Sequence, residues 1–398
     1  MYKKPEGTRN SSGPVYKNFD DALDFLFQEA RTSRLILVID EFPYLAKAWP
    51  GISSALQAKI DHRPPGCKLF LILCGSSLSF MENHVLGYQS PLYGRRTTQY
   101  KIQPMDFFET AEFIPSMSRF DKACAYAMSG GIPLYAVLFS GRRSLKENVI
   151  AHFLSPSGFL FEEPENLLKQ ELREPASCNA LIREIASGTT RLGELASKTG
   201  FDTARVSHML KTLMDLGIVI KESPAEISLK TGRKAIYRIG DGLYQFWYCF
   251  IPPLIELVQR NRGEEAWKII ESGLSTYMGR IFEEICKQFL WRENAADPRP
   301  FVFQSIGRWW GNDPLRKEEA EIDLVAFQGK ESALFCECKW KNEKTGTDVL
   351  NALIAKSAQF NYAKKYYRIF SKSGFAASCV KAAKEAGNVQ LTIFDEMC

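Results

Sequence analysis

Asp323, Glu337 and Lys339 are the residues whose types and spacing point most directly to chemistry. Glu337 and Lys339 stand two apart in Ser332-Ala333-Leu334-Phe335-Cys336-Glu337-Cys338-Lys339-Trp340, where alternation puts both on one strand face. Asp323 lies fourteen positions before Glu337, in Glu321-Ile322-Asp323-Leu324-Val325-Ala326. Two carboxylates can hold Mg²⁺ on a scissile phosphate, while a lysine orients the attacking water or stabilises the developing charge. Glu-x-Lys alone recurs by chance on solvated strand faces; the upstream Asp and a Glu-bearing helical pattern over Tyr277–Leu290 narrow the reading. A second set stands earlier, with Asp40-Glu41 after the apolar run 35–39 and Gly75-Ser76-Ser77 after the run 69–74. An acid at a strand tip can hold Mg²⁺ through water, and a second acid can orient an attacking water. A polar tip on the neighbouring strand can touch a γ-phosphate, which completes the outline of nucleotide hydrolysis. The competing reading is a pair of carboxylates that cap helices or meet solvent.

These residues need elements to position them. The two apolar runs read as central parallel strands covered on both faces, with amphipathic segments at 19–30 and 52–60 giving a βαβ pattern. Ligands in such sheets bind at the carboxyl ends of strands, where Asp40, Glu41, Ser76 and Ser77 fall. Residues 103–175 read as mostly helical, broken at Ser129-Gly130-Gly131-Ile132-Pro133. Three short helical patterns follow at 179–187, 191–198 and 203–216, with Asp202 as N-cap of the last. In that helix Val206, Met209, Leu210, Leu213 and Met214 form the apolar face, which leaves Arg205, Ser207, His208 and Lys211 outward. Segments 217–221 and 235–239 read as a two-stranded wing whose tip, Lys230-Thr231-Gly232-Arg233-Lys234, is basic. Helix-turn-helix modules place a helix in the major groove, so Arg205, His208, Lys211, Arg233 and Lys234 are the candidate DNA contacts. The bland alternative is a spacer with a solvated basic wing.

Beyond residue 243 the pattern gives a helix near 264–272, the helix over 277–290, and a hairpin turning at Gly329-Lys330. A helix at 347–360, a strand at 366–370, a helix at 376–386 and a strand at 391–394 complete it. Residues 355–384 carry seven Lys/Arg and no Asp/Glu, either a phosphate-facing flank or a solvated charge run. Trp309, Trp310 and Trp340 read as core or rim packing rather than base-stacking platforms.

Composition bounds these readings. With 398 residues, 45% hydrophobic and 24% charged, the chain has room for two or three domains, and disorder is excluded. A net charge of +5 permits a nucleic-acid partner without demanding one. Ten cysteines lack zinc-finger spacing, and the four histidines (62, 84, 152, 208) are too dispersed for a histidine-based metal site. No secretory signal occurs, and Leu243–Val258 is interrupted by Gln245, Pro252, Pro253 and Glu256. The expectation is a cytoplasmic chain with no membrane partner; self-association or a protein partner stays open.

The residues resemble a known family. LILVIDEFPYL resembles the Walker B strand of the archaeal-type ATPases in the AAA+/STAND group of P-loop NTPases, and LFLILCGSSLSFM its sensor strand. SPLYGRRTTQYKIQPMDFFE resembles the arginine-bearing segment that follows. The resemblance implies ATP with Mg²⁺ as ligands, Asp40 on Mg²⁺, Glu41 activating water, Ser76 or Ser77 sensing the γ-phosphate, and Arg95 or Arg96 as finger or sensor arginine. No Gly, four residues, Gly-Lys-Ser/Thr motif occurs; Gly329-Lys330 is followed by Glu331 and lacks the earlier glycine. Residues 1–18 are polar and loop-like, so the expectation is a P-loop-less core that neither binds ATP tightly nor hydrolyses it alone.

GRIFEEICKQFL, IGRWWG, EIDLVA and ECKW resemble the PD-(D/E)xK nuclease-like domain that follows the winged helix in the same family. That implies Asp323 and Glu337 as ligands of Mg²⁺, Lys339 as catalytic lysine, and Glu283, or alternatively Glu284, as accessory helix acid. The expected fold is α/β throughout. It comprises a partial P-loop-type parallel sheet over 1–102, a helical lid over 103–175, and a winged helix-turn-helix over 176–242. A restriction-endonuclease-like domain with an aromatic-rich linker fills 243–398. Three functions compete: Mg²⁺-dependent DNA cleavage, non-catalytic DNA binding or regulation, and a nucleotide-driven switch completed by a P-loop from elsewhere.

Overall fold

The computed structural model describes residues 16–77, 80–225, 235–314 and 316–397. They form two compact units, one ending at Lys101 and one beginning at Ile102.

In the first unit, β1 (Leu35–Ile39) and β2 (Leu69–Leu73) pair in parallel, Leu35 opposite Leu69 through Ile39 opposite Leu73. Helices Phe19–Glu29, Phe42–Ala48 and Ile52–Asp61 supply Leu23, Phe42, Ile52 and Leu56 to a core that Leu37, Ile39, Leu71 and Leu73 meet from the sheet. The strands are not covered on both faces as their sequence suggests. Ile36, Val38 and Phe70 are 59%, 52% and 43% exposed. A continuous apolar run carries no sign of whether one or both of its faces are buried, and among the described residues of this unit the core lies on one side of the sheet.

The second unit opens with helices Phe107–Phe113 and Arg119–Ser129 and resumes at Pro133 after the expected Gly-Gly break. Helices Pro175–Ala186, Leu192–Thr199 and Thr203–Asp215 follow, then β3 (Val219–Glu222) antiparallel to β4 (Ile236–Ile239). Asp202 caps the third of these helices by accepting from Arg205 N at 2.8 Å. Val206, Met209, Leu210 and Leu213 are buried beneath it.

Where two helices were expected, Gly263–Ala296 is one helix of 34 residues. Gly273 looks like a break in the sequence, yet a Cβ there would stand 3.1 Å from Phe250 Cε1, so this glycine admits a neighbouring ring instead of ending the helix. The helix packs on a five-stranded sheet ordered β5 (Ile306–Asp313), β6 (Glu318–Gln328), β7 (Ser332–Lys339), β8 (Lys364–Ser371) and β9 (Val389–Ile393). β5, β6 and β7 are antiparallel neighbours; β7, β8 and β9 are parallel. The turn between β6 and β7 uses Gly329 at φ 55°, the left-handed conformation expected for the hairpin. Leu334, Cys336 and Cys338 of β7 belong to the core that includes the long helix. Ala333 and Phe335 face the opposite core, with Leu350 and Leu353 of helix Thr347–Ser357. Glu337 and Lys339 continue that second parity. Trp309 and Trp340 are buried, as packing residues should be.

Candidate functional site

Asp323 reaches its position through an irregularity in the β5–β6 ladder. Gly307 pairs with Val325 but Trp309 pairs with Ile322, so Asp323 and Leu324 together stand opposite Arg308 alone. Such a bulge twists a strand and re-aims a side chain. The β6–β7 ladder runs from Gln328–Ser332 to Leu324–Cys336. Just beyond, Asp323 Oδ2 accepts from Cys338 N at 2.7 Å.

Glu337, 7% exposed, lies on the adjoining strand. Its Oε1 accepts from Lys339 Nζ at 2.6 Å. Its Oε2 is buried without a hydrogen bond, and Lys356 Nζ stands 3.5 Å from it. Burial, reinforced by the charge of Glu337, pushes the Asp323 carboxyl up to about 6. Burial pulls the Lys339 ammonium down, but the negative charges of Glu337 and Asp323 outweigh it and leave its pKa raised. Glu283 on the long helix lines a cleft with Asp323, Arg308, Arg280, Glu284 and Lys287. There burial, and then the Asp323 charge, push Glu283 up to about 8. Glu284 instead faces Lys287 at 3.4 Å.

The chemistry of this donor set fits a hard cation. Mg²⁺ is usually held by one or two carboxylates with water and substrate phosphate completing the shell, and Glu337 Oε2 is an oxygen with no hydrogen bond of its own. Among the described residues no group of three or more His, Cys, Asp or Glu side chains is placed to hold a metal ion. Sequence reasoning missed Arg308, which pairs with Glu321, and Lys356. Arg308 stands inside IGRWWG, where the tryptophans carry the packing signal; Lys356 is brought in by a helix whose docking no spacing encodes. Arg238, 2.8 Å from Glu222, lines the same cleft from β4.

In the first unit the strand tips are tied together, Cys74 N donating to Ile39 O at 3.0 Å and Phe42 N to Cys74 O at 2.8 Å. Asp40 is exposed, and its Oδ1 accepts from Glu41 N at 3.0 Å. Glu41 sits at φ 48°, ψ 46°, a left-handed conformation uncommon for a non-glycine residue. Ser76 Oγ donates to Glu41 Oε2 at 3.1 Å, so the two tips meet through the residues that the sequence singles out. Ser77 is half-buried. Arg95 forms a two-point pair with Asp61 (2.8 and 2.7 Å) and donates to Pro91 O and Tyr93 O. Arg96 donates to Leu86 O at 3.3 Å.

On helix Thr203–Asp215, His208 and Lys211 are exposed. Arg205 is exposed but engaged: it pairs with Glu174 at 2.7 Å, bonds Ser177 Oγ at 3.0 Å and lies over the Phe201 ring. Arg233 and Lys234 lie outside the described residues. The basic run at 355–384 does not form one flank. Arg368 is 2% exposed and paired with Glu293, and Lys365 Nζ donates to Ser357 O at 2.9 Å.

Over 342 residues the chain is 32% identical to the uncharacterized protein MJECL04 of Methanocaldococcus jannaschii, an alignment covering 85% of this chain and 75% of that protein. Residues 3–139 match a family described as an ATPase domain predominantly from Archaea. The chain belongs to one family with MJECL04, and its residues 3–139 carry an archaeal ATPase-family domain. Residues 247–349 match a second family, described as archaeal and bacterial proteins of unknown function. Among solved structures, protein VC1899 from Vibrio cholerae is similar at 14% identity and TM-score 0.26, over 60% of this chain and 52% of that one. The Aeropyrum pernix ORC1 protein, solved in complex with DNA, is similar at 15% identity and TM-score 0.28, over 61% and 71%. Likeness at that level carries no argument about this chain. The ATPase-family match contains Asp40, Glu41, Ser76, Ser77, Arg95 and Arg96. Glu283, Asp323, Glu337 and Lys339 fall in the second match, and Arg205, His208 and Lys211 lie in neither. Among the described residues no helix is long and apolar enough to cross a membrane.

Proposed function

We propose that this ATPase-family protein binds DNA and cuts it with a divalent cation at Asp323, Glu337 and Lys339. The observation that carries the reading is the bulge that brings Asp323 to the amide of Cys338, beside a buried Glu337 paired with half-buried Lys339. Asp323 and Glu337 would hold Mg²⁺, which supplies charge stabilisation and an acidified water when bound. The ammonium of Lys339, kept protonated by its neighbours, would face the phosphate. Glu283, protonated to about pH 8, is placed to hold a proton at the cleft wall. His208 and Lys211, on the open face of a winged-helix-like module, would meet the DNA backbone, together with Arg233 and Lys234. Comparing Glu337→Ala and Lys339→Ala with the native chain on branched and linear DNA tests this. Loss of cleavage by at least about 100-fold is expected on the magnitude of such groups, and unchanged cleavage refutes the assignment.

In the first unit Asp40 and Glu41 would take the cation-holding and water-orienting parts of a nucleotide site, with Ser76 or Ser77 sensing the γ-phosphate and Arg96 or Arg95 beside them. The absence of a phosphate-cradle motif in the sequence implies weak nucleotide binding by this chain alone. A second reading, DNA binding without cleavage, is favoured by the two lysines that already balance Glu337. It predicts salt-sensitive DNA binding that survives both substitutions.

A further inference from the structure

The cleft that Asp323 shares with Glu283 has a wall from outside the sheet and the long helix. The winged-helix-like module supplies it, with Glu222 of β3 and Arg238 of β4. In the β3–β4 ribbon Val219, Tyr237 and Ile239 are buried. Alternation turns Ile220, Glu222, Ile236 and Arg238 to the other face, and the two charged residues of that face meet the cleft. Beyond β3 the chain continues to Ala225, whose N donates to Arg308 O at 2.8 Å. Ala225 also packs against the core that holds Trp309 and Val325. β5 is an outer strand of its sheet, and outer strands offer carbonyls that no neighbouring strand has taken. Arg308 is the residue opposite the bulge at Asp323. The ribbon therefore docks on the point that shapes the candidate site.

Docked in this way, the ribbon leaves the cleft about 30 Å³. That is room for about two waters at roughly 10–15 Å³ each, and too little for a phosphodiester. A strand of DNA can meet Asp323 from this side only after the ribbon has moved. The docking is lightly held. The ribbon's charges are spent on each other, with Arg238 Nε 2.8 Å from Glu222 Oε2. Among the described residues no ion pair joins Glu222 or Arg238 to the long helix or to β6. The bond from Ala225 to Arg308 is a single backbone hydrogen bond, of small net worth.

We propose that this contact is autoinhibitory: the ribbon shuts the Asp323–Glu283 side of the site, and DNA must displace it from β5 before cleavage. The inference rests on the nuclease reading above and adds a regulation of that same site. A Cβ on Gly307 would stand 3.5 Å from Ala225 Cβ, a separation that a disulfide spans. Ala225→Cys combined with Gly307→Cys therefore staples the ribbon shut. Cleavage of labelled linear DNA by the full chain in Mg²⁺ is measured for the oxidised double variant and again after dithiothreitol. Mass spectrometry of the linked peptides verifies the staple, and the native chain taken through the same oxidation is the control. The stapled form should cleave at least about 10-fold more slowly than its reduced form, on the scale of a blocked binding step. Ala225→Pro, which removes the N–H that Arg308 O accepts, should raise the native rate about 5-fold, the net worth of one such hydrogen bond. Hydrogen exchange in EDTA gives a readout that needs no cleavage: saturating DNA should speed exchange of the Ala225 amide in the native chain. Equal rates in the stapled, reduced and Ala225→Pro forms overturn the inference alone, as does an Ala225 amide that DNA leaves unchanged. Faster exchange with no cleavage by any form overturns the nuclease reading alone.

Discussion

Replacing Asp323 by asparagine should stabilise the second unit at neutral pH while abolishing the proposed cation site. The native carboxyl is held at about 6 by burial and by the charge of Glu337, against an ordinary value near 3.9. The sign follows from linkage: a carboxyl whose folded pKa is raised binds its proton more tightly when folded, so the fold loses stability as pH rises through that window. Below about pH 4 the folded and unfolded chains are both protonated there and no penalty exists. Between about pH 4 and 6 the penalty grows, and above pH 6 it is constant at about 3 kcal/mol. Asparagine keeps an oxygen for the Cys338 amide, which Asp323 Oδ2 binds at 2.7 Å, but carries no charge. Urea unfolding followed by tryptophan fluorescence is a suitable assay, because six of the seven tryptophans lie after residue 101. Asp323→Asn should gain about 3 kcal/mol at pH 7.5 and nothing near pH 4. Saturating Mg²⁺ should raise native stability by about 3 kcal/mol at one hundred times its Kd and leave the variant unmoved. A variant less stable than native at pH 7.5, or a gain independent of pH, would refute the electrostatic account of the site.

Three further outcomes follow from particular contacts. Glu293→Ala should cost about 3–5 kcal/mol because it leaves the Arg368 guanidinium, 2% exposed, without its carboxylate; Arg368→Met should cost less, since Glu293 is one-third exposed and can hydrate, and denaturant unfolding compares the two. Gly75→Ala should destabilise the first unit by about 1–3 kcal/mol, because its Cβ would meet Pro43 Cδ at 2.6 Å and Met81 Sδ at 3.0 Å, and limited proteolysis of residues before Lys101 reads this. Asp202→Ala should cost about 1 kcal/mol through the lost cap to Arg205 N, visible as a lower unfolding midpoint.

The parts of the fold that sequence made legible are those governed by local period and turn chemistry. The β6–β7 hairpin follows from alternation and from Gly329; the Asp202 cap and the buried face of helix Thr203–Asp215 follow from spacing of 3.6. The bulge at Asp323 was illegible, because Ile322, Leu324 and Ala326 continue the alternation without a visible slip, although the ladder to β5 slips between them. The pairing of Arg205 with Glu174, and the burial of Arg368 against Glu293, depend on partners 31 and 75 residues away. A basic residue read one at a time carries no such information. The open face at Ile36, Val38 and Phe70 was hidden for the opposite reason, since an apolar run looks the same with one face buried or two.

The distribution of charge at β7 gives the site a direction. Glu337 is balanced from its own side of the sheet by Lys339 and by Lys356 of helix Thr347–Ser357. Asp323 accepts from the Cys338 amide at 2.7 Å and shares its cleft with Glu283, Arg308, Arg280 and Lys287. Burial first, and then the charge of Glu337 on Asp323 and of Asp323 on Glu283, pushes the Asp323 and Glu283 carboxyls up, although Arg308 and Arg238 oppose this at Glu283. Glu-x-Lys alone does not encode this arrangement, in which the bulge turns Asp323 toward the cleft that Glu283 lines.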